Sequence, residues 1–336
     1  MRTRICLAVL ALLAAGCSES EDTNTPEVQV NAKAIRIGQS VQGMTRAAVE
    51  NGSAVSATVL MCDGETADWS NFTAVSSNGI NSSTSALESR ATTSTATFTA
   101  GTKKAVTLTP TLYYNTDGST KSHLAAVAPA GALGASSTTV TMSTVDGQQD
   151  VMYAAAVSAG TGTTATTNIE LSFNHLTTQL NFKVKMTEAS GTGEWDNKTV
   201  TVKSIKVQSA QLPQSVNAAD GTVAWSNASL LEVPTNNTVL STTAAEVGNP
   251  IMIKGGSTVK LDVTLTVSGK GDLQFSNVPI KDSGASDLAT VTGSSHLITL
   301  NVTEPQAASG SGVAIIDVTA TVAQWIVGTP GTGELN

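Results

Sequence analysis

The sequence is poor in the residues that carry chemistry at protein sites. Charged residues make up 13% of the 336 residues and aromatic residues 4%, and there are three histidines and three cysteines. His123, His175 and His296 lie far apart in the sequence, and none has metal-ligand spacing to a cysteine or a carboxylate. The net charge of -8 comes without the clustered Lys and Arg that bind phosphates, which argues against a nucleic-acid partner.

Motifs of catalysis are equally scarce. No G-x-S-x-G nucleophile elbow is present, and no pair of carboxylates is marked out for glycoside hydrolysis. Gly160, Gly162 and Ala165 formally match a dinucleotide fingerprint, but no helix pattern follows them. The sequence therefore gives no positive reason to predict an enzyme, and it predicts no cofactor and no metal site.

The cysteines do not form a disulfide framework. Cys6 lies within an N-terminal export signal and Cys17 stands at its end, which leaves Cys62 without a partner. Because Cys62 follows Met61, we interpret it as a small buried hydrophobe, and the alternative is a reactive thiol.

What the sequence does contain is short runs of alternating apolar and polar residues. Hydrophobic residues make up 40% of the chain; Thr, Val and Ile favour strands, while Ser, Gly and Asn supply turns. The clearest pattern, at residues 169–186, predicts two strands with one buried face each. These features predict an all-β protein built from sandwiches. Further strands are predicted at 28–37, 55–61, 95–100, 105–112, 124–129, 138–142, 151–157, 199–207, 259–267, 298–302 and 316–322.

Local details of the pattern add three predictions. The strand at 199–207 switches parity between Val202 and Ile205, which predicts a bulge. The run 157–167 is low in apolar residues and is either a linker or a long hairpin loop. Trp69 and Phe72 are predicted to anchor a core.

The N-terminus has the pattern of a secretory signal peptide at residues 1–16, with two arginines followed by an apolar run too short to span a membrane. Residues 13–17, LAAGC, resemble the lipobox of bacterial lipoproteins, which predicts lipid attachment at Cys17; the alternative is ordinary cleavage beside an incidental cysteine. Residues 17–27 form a polar tether. Its acidic part, 18–22, resembles a surface-export signal, with a solvated linker as the alternative.

A possible cleavage site follows the first predicted strand, 28–37. Residues 43–47 have little apolar content and are predicted to be exposed, as loops that proteases cut usually are. Arg46 is one of few arginines in the chain. It is either the site of a trypsin-like cut before Ala47 or a plain surface arginine.

Several motifs together resemble the fimbrillin family of Bacteroidetes, the subunits of type V pili. They are the lipobox, TRA at residues 45–47, QDVMYA at 149–154, LSFNHLTTQLNFKV at 171–184 and AQW at 323–325. The resemblance implies two transthyretin-like β-sandwich domains in tandem, an N-terminal one at 28–166 and a C-terminal one at 167–336.

The resemblance also implies a route of assembly. A precursor lipidated at Cys17 reaches the outer membrane, and an arginine-specific protease cuts between Arg46 and Ala47, so that the first strand is lost. The C-terminal strand of another pilin subunit then fills the exposed groove, in a fimbria that supports adhesion. The role as stalk, tip or anchor stays open. The candidate donor residues are Ile316, Val318, Ala320, Val322 and Trp325.

Two other functions compete with this one. A monomeric surface lipoprotein that binds glycans would stack sugars on Trp69, Trp195 or Trp225. Trp side chains exposed on one face would favour glycan binding, and buried Trp side chains would count against it. A hydrolase without a recognisable motif is a more distant alternative.

Overall fold

The computed structural model is built from strands. It describes residues 33–41, 54–70, 72–74, 90–99, 106–109, 111–115, 117–134, 137–164, 169–188, 193–305 and 314–324. Within these residues the regular elements are all β-strands, and no helix has the length and apolar character needed to cross a membrane. The prediction of an all-β protein is therefore confirmed. The tandem arrangement of two transthyretin-like domains stays a prediction.

The strands follow one another along the whole described chain. In order they are β1 (Ile37–Val41), β2 (Ala54–Asp63), β3 (Thr73–Ala74), β4 (Arg90–Thr99), β5 (Leu108–Thr109), β6 (Ser122–Ala128), β7 (Ala132–Leu133), β8 (Thr139–Thr141), β9 (Met152–Gly160), β10 (Ile169–His175), β11 (Thr178–Met186), β12 (Val200–Ala210), β13 (Pro213–Asn217), β14 (Val223–Trp225), β15 (Ser229–Val233), β16 (Ala245–Glu246), β17 (Ile251–Ile253), β18 (Lys260–Val267), β19 (Gly271–Pro279), β20 (Ser294–Thr303) and β21 (Ile315–Gln324).

Sheet 1 has eight strands in the order β1-β10-β9-β6-β2-β4-β3, with β5 paired to β4. Its central strand β6 is buried along its full length, because both faces of the sheet are covered. Along β2, Val59 and Met61 point into one hydrophobic cluster, the first core, while Leu60 points into a second cluster, the middle core. This alternation follows from the period of two along a strand.

Sheet 2 connects the two halves of the chain. Its order is β14-β13-β8-β7, so strands from residues 132–141 pair with strands from residues 213–225. Val140 on β8 and Val216 on β13 face each other in the antiparallel ladder, and both are fully buried in the middle core. Farther along, the Met252 N–H donates to the Gly147 carbonyl at 2.7 Å, which adds a backbone contact between the halves.

Sheets 3 and 4 enclose the last core. Sheet 3 has the order β15-β12-β18-β19, and sheet 4 the order β16-β11-β20-β21 with β17 paired to β11. Val263 and Leu265 of β18 pack in this core with Ile298 and Leu300 of β20. Each of these residues alternates with a more exposed neighbour, as expected for sheets with one buried face.

Several local predictions are confirmed by the structure. The parity switch in the strand at 199–207 is a register shift between Val202 and Ser204, where β12 pairs with β18. Phe72 is buried in the middle core, and the half-buried Trp69 packs against it with ring centroids 5.7 Å apart. The run predicted at 157–167 begins too early, because residues 157–160 belong to β9; β9 and β10 pair antiparallel, as in the hairpin alternative, and residues 165–167 lie outside the described part of the chain.

The central pattern at 169–186 forms two strands as predicted, but they belong to different sheets. β10 lies in sheet 1 and β11 in sheet 4, so the chain changes sheet at residues 176 and 177. The division into domains at residues 166 and 167 stays a prediction. β10, which begins after this predicted boundary, is hydrogen-bonded to β1 and β9, which both come before it in the chain.

Candidate functional site

Residues 33–41 lie as a strand between two other segments. On one side β1 runs parallel to β10, with Ile37 opposite Ile169 and Val41 opposite Phe173. On the other side the Ile35 N–H donates to the Leu112 carbonyl at 2.8 Å. Backbone hydrogen bonds therefore hold this segment along both edges. Compared with the strand predicted at 28–37, the observed β1 begins at residue 37, and residues 28–32 lie outside the described part of the chain.

The apolar side chains of this segment are part of the first core. Ile35 is 3% exposed and Ile37 2%, and both pack with Leu112 and Phe173. Because both edges and one face of the segment are bound, its loss would leave unpaired backbone groups on both sides and an apolar groove beneath. We call this position, between β10 and residues 106–114, the acceptor site.

The last strand, β21, is an edge strand of sheet 4. It pairs antiparallel with β20 over its full length, from Ile315 opposite Thr303 to Gln324 opposite Ser294. Val318 is 1% exposed, Ala320 is 3% exposed, and the half-buried Ile316 packs against the last core. In this structure Ile316, Val318 and Ala320 therefore pack in the core of their own chain.

Of the remaining predicted site residues, one is described by its backbone pairing and the others lie outside the described residues. The backbone of Val322 pairs with His296 within β21 and β20. Cys17, Arg46, Ala47 and Trp325 lie outside the described residues, so lipid attachment and cleavage stay predictions.

A buried contact between a histidine and an aspartate, beside the acceptor site, was not expected from the sequence. The Nδ1 atom of His175, the last residue of β10, lies 2.9 Å from Oδ1 and 2.8 Å from Oδ2 of Asp150, and the two side chains are 4% and 0% exposed. The Leu176 N–H donates to the Val151 carbonyl at 2.8 Å, which fixes the chain beyond the pair. The pair ties β10 to the residues before β9. Both residues occur in the motifs quoted above, QDVMYA and LSFNHL, and this joint presence is the signal that could have found them.

The other two histidines are structural as well. His123 Nε2 lies 3.0 Å from the Gly64 carbonyl oxygen. His296 is fully buried, and its Nε2 accepts a hydrogen bond from the Val291 N–H at 3.2 Å. Burial in the protein interior lowers the pKa of His296 below its ordinary value, because the charged imidazolium would lose its hydration. The three histidines serve separate backbone and side-chain contacts.

Cys62 is a buried residue of β2. It is fully buried in the structure, and burial together with the neighbouring charge of Asp63 raises the pKa of its thiol to about 12. A thiol with this pKa is protonated at neutral pH and is a poor nucleophile. The interpretation of Cys62 as a buried hydrophobe is therefore favoured over a reactive thiol.

The tryptophans do not form an exposed platform in the described residues. Trp195 is 1% exposed and lies in the last core. Trp225 is half-buried, with Lys254 Nζ 5.8 Å from its ring centroid. The described part of the chain also contains no group of three or more His, Cys, Asp or Glu residues that could hold a metal ion. The interaction that the described residues of this site do show is backbone pairing, of β1 with β10 and of β21 with β20.

In the described residues, segment 33–41 fills a core position between two other segments and β21 lies at a sheet edge, as in an all-β structural protein. The family model described as "Fimbrillin-like" matches residues 45–325. The chain belongs to the fimbrillin-like family, and this membership supports a role as a fimbrial subunit. Comparison with curated proteins finds no match.

Structures similar to this chain have been solved for proteins of Bacteroides and Porphyromonas species. A proposed cell adhesion protein from Bacteroides uniformis is 18% identical, with a TM-score of 0.52 over 89% of this chain and 100% of that one. A fimbrial protein from Bacteroides vulgatus is 13% identical, with a TM-score of 0.48 over 87% and 100%. The fimbrial anchor protein Mfa2 from Porphyromonas gingivalis is 11% identical, with a TM-score of 0.38 over 88% and 99%. The likeness to the Bacteroides uniformis protein shows a shared fold.

Proposed function

We propose that the protein is a subunit of a type V fimbria at the bacterial cell surface, where it supports adhesion. In this proposal it is exported as a lipoprotein with acyl chains on Cys17, held at the outer membrane, cut between Arg46 and Ala47, and polymerised by donor-strand exchange. Its partners are other pilin subunits and an arginine-specific protease. Two or more acyl chains hold a protein firmly at a membrane, whereas one chain binds marginally.

One observation carries the proposal. The segment 33–41 fills the acceptor site with two nearly fully buried isoleucines, and it lies just upstream of Arg46 in the sequence. Cleavage at Arg46 would separate this segment from the rest of the chain, so that only its backbone hydrogen bonds and the packing of Ile35 and Ile37 would retain it. An extended strand from another subunit could then take its place, pairing with β10 and placing alternate side chains in the first core.

The donor in this proposal is β21, with Ile316, Val318 and Ala320 packed in the last core and Val322 and Trp325 as further candidate residues. Donation requires β21 to leave its own sandwich, which uncovers the positions of Val318 and Ala320 in the last core. The buried apolar surface is recovered only when β21 occupies an acceptor site. The exchange is therefore favoured when cleavage has opened such a site nearby.

The experiment that tests the cleavage step compares two arginine variants expressed in cells. Arg46→Ala is expected to leave a lipidated monomer, because the acceptor site stays filled. Arg36→Ala is the matched control, since Arg36 is an exposed arginine in the same region and its loss should leave polymer ladders unchanged. Mass spectrometry of the mature N-terminus should find acylated Cys17 in Arg46→Ala and a free Ala47 in the wild type. Polymer ladders of normal length from Arg46→Ala would refute the cleavage step.

A second experiment tests whether the first strand is absent from the polymer. Ile37→Val removes one methylene from a buried side chain and is expected to cost about 0.5–1.5 kcal/mol of unfolding free energy. This loss should appear in the unprocessed precursor and be absent from the assembled polymer, because residue 37 is no longer present there. An equal loss in precursor and polymer would contradict removal of the strand.

The glycan-binding alternative receives less support. The burial of Trp195 removes it as a stacking surface, and Trp69 is half covered by its packing with Phe72. Aromatic stacking on a sugar requires an exposed ring face, which Trp195 does not have.

A further inference from the structure

The outer edge of β21 is bound at its centre by a residue that follows β19. The Lys281 N–H donates to the Val318 carbonyl at 3.0 Å, and the Ala320 N–H donates to the Lys281 carbonyl at 2.7 Å. Lys281 and Thr319 thereby form a parallel bridge on the side of β21 opposite β20. These bonds lie at Val318 and Ala320, whose side chains are buried in the last core, so backbone and side-chain anchors coincide.

Lys281 is held in place by a hairpin of its own, residues 280–288, which we call the clasp. Ile280 is 1% exposed and Leu288 2%, and the Leu288 N–H donates to the Ile280 carbonyl at 2.8 Å. Both side chains pack in the last core. Across the hairpin, Lys281 Nζ lies 2.5 Å from Asp287 Oδ1. The base of the clasp is therefore fixed to the sandwich, while its tip is exposed.

The tip of the clasp is organised by Asp282. Its Oδ1 atom accepts hydrogen bonds from the Gly284 N–H at 2.8 Å and the Ser286 N–H at 2.9 Å. Its own N–H donates to the Ser286 carbonyl at 2.8 Å. A side chain that binds nearby backbone amides in this way fixes a turn that exposed residues would otherwise leave open. Asp282 thus holds the tip closed through hydrogen bonds within the clasp.

We propose that the clasp controls the release of β21, so that it retains the donor strand in the monomer until an acceptor site is available. This inference rests on the proposed function, in which β21 is the strand that is donated. A strand paired on one edge can peel away from its end, but here the centre of β21 is bound on both edges. The clasp must open before Val318 and Ala320 can leave the last core.

The test measures hydrogen exchange of the peptide covering residues 315–324 in the full monomeric chain by mass spectrometry. Asp282→Ala removes two hydrogen bonds at the tip, and exchange in this peptide is expected to be about threefold faster. Lys281→Pro removes the donor to Val318 itself, and the expected increase is about tenfold. Asp117→Ala is the matched control. Asp117 Oδ1 accepts from the Ser119 and Thr120 N–H groups at 2.8 and 2.9 Å in an exposed turn of the first half of the chain, and its loss should leave exchange at 315–324 unchanged.

The outcomes separate this inference from the proposed function. Unchanged exchange at 315–324 in both Asp282→Ala and Lys281→Pro overturns the clasp, whatever the polymer does. An equal increase in Asp117→Ala also overturns it, because the effect would then be global. Faster exchange with faster polymerisation after cleavage supports both ideas. Faster exchange with an unchanged polymerisation rate supports the clasp as the lock on β21 and counts against β21 as the donor.

Discussion

Replacing Asp150 with alanine removes the carboxylate that His175 contacts at the end of β10. The two side chains are 0% and 4% exposed, so the pair lies in a region that water does not screen. Removing one partner of a buried pair leaves the other without compensation, and typical losses are about 3–5 kcal/mol of unfolding free energy. We expect Asp150→Ala to lose stability in this range, and His175→Ala to lose a similar amount.

The matched control is the ion pair of Lys121 and Glu65. Its Nζ to Oε2 distance is 2.7 Å, close to that of the buried pair, but the two side chains are 43% and 82% exposed. Because water and salt screen exposed charges, Glu65→Ala should lose far less stability. The two variants thus compare the same kind of contact at two depths.

The assay is urea denaturation followed by tryptophan fluorescence, with Asp150→Ala, His175→Ala and the double variant completing a mutant cycle. The double variant should lose less than the sum of the single losses, because both single changes remove the same contact. Two results refute the reasoning: a loss for Asp150→Ala no larger than that for Glu65→Ala, or additive single losses in the cycle.

Three further predictions follow from burial and backbone geometry. Cys62, with its pKa raised to about 12, should resist iodoacetamide in the folded protein and react once urea unfolds it, as measured by mass spectrometry of its peptide. His296 has a lowered pKa when folded, so the unfolded chain takes up its proton first and stability falls as pH drops below about 6.5; His296→Gln should reduce the change in melting temperature between about pH 7.5 and about pH 5.5. Gly248→Ala should cost at least about 1–3 kcal/mol in urea denaturation, because φ is +66° and an added Cβ would lie 1.8 Å from the Pro234 carbonyl oxygen.

Each of these predictions has its own control. For Gly248 it is Gly256→Ala, where φ is +86° and an added Cβ would meet nothing within 4 Å, so only the backbone cost remains. Equal losses at both glycines would show that the close approach to Pro234 does not matter. Alkylation of Cys62 at equal rates with and without urea would contradict its burial. An unchanged pH dependence in His296→Gln would assign that dependence to other groups.

The strands with one buried face were predictable because they alternate. The predicted strand 55–61 is Ala54–Asp63 in the structure, 180–186 lies within Thr178–Met186, and 259–267 matches Lys260–Val267 apart from its first residue. β19 was missed although Leu273 and Phe275 alternate along it, because a half-buried edge strand gives a weaker contrast between its faces. Binary alternation thus predicts central strands better than edges.

Of sheet 2, only the strand predicted at 138–142 was found in advance, and it is β8 (Thr139–Thr141). β7, β13 and β14 are two to five residues long and show little periodicity, and the pairing of β8 with β13 joins strands that are far apart in the chain. The contact between Asp150 and His175 was hidden for a related reason. It depends on the register in which His175 of β10 lies opposite Met152 of β9, and sequence patterns do not encode that register.

In the first and last strands, too, the side-chain pattern was predictable and the backbone contacts were not. The apolar pattern predicted a strand at 28–37, and the structure buries Ile35 and Ile37 at the end of that range, although β1 itself begins at residue 37. The apolar pattern predicted that β21 alternates. It did not predict the two hydrogen bonds to Lys281, because these join backbone groups and do not depend on which side chains are present. Backbone contacts of this kind depend on tertiary position alone.

The pairing of β8 with β13 has a mechanical consequence. A subunit in a surface filament is pulled along its length when the cell is dragged by flow, and the chain between the first and last cores is a single covalent connection at residues 176 and 177. Sheet 2 adds a second connection that can bear tension, because Thr139, Val140 and Thr141 pair with Asn217, Val216 and Ser215 in an antiparallel ladder. Tension that draws the cores apart therefore acts on main-chain hydrogen bonds as well as on the connection. We expect this pairing to make the middle of a fimbrial subunit resist extension.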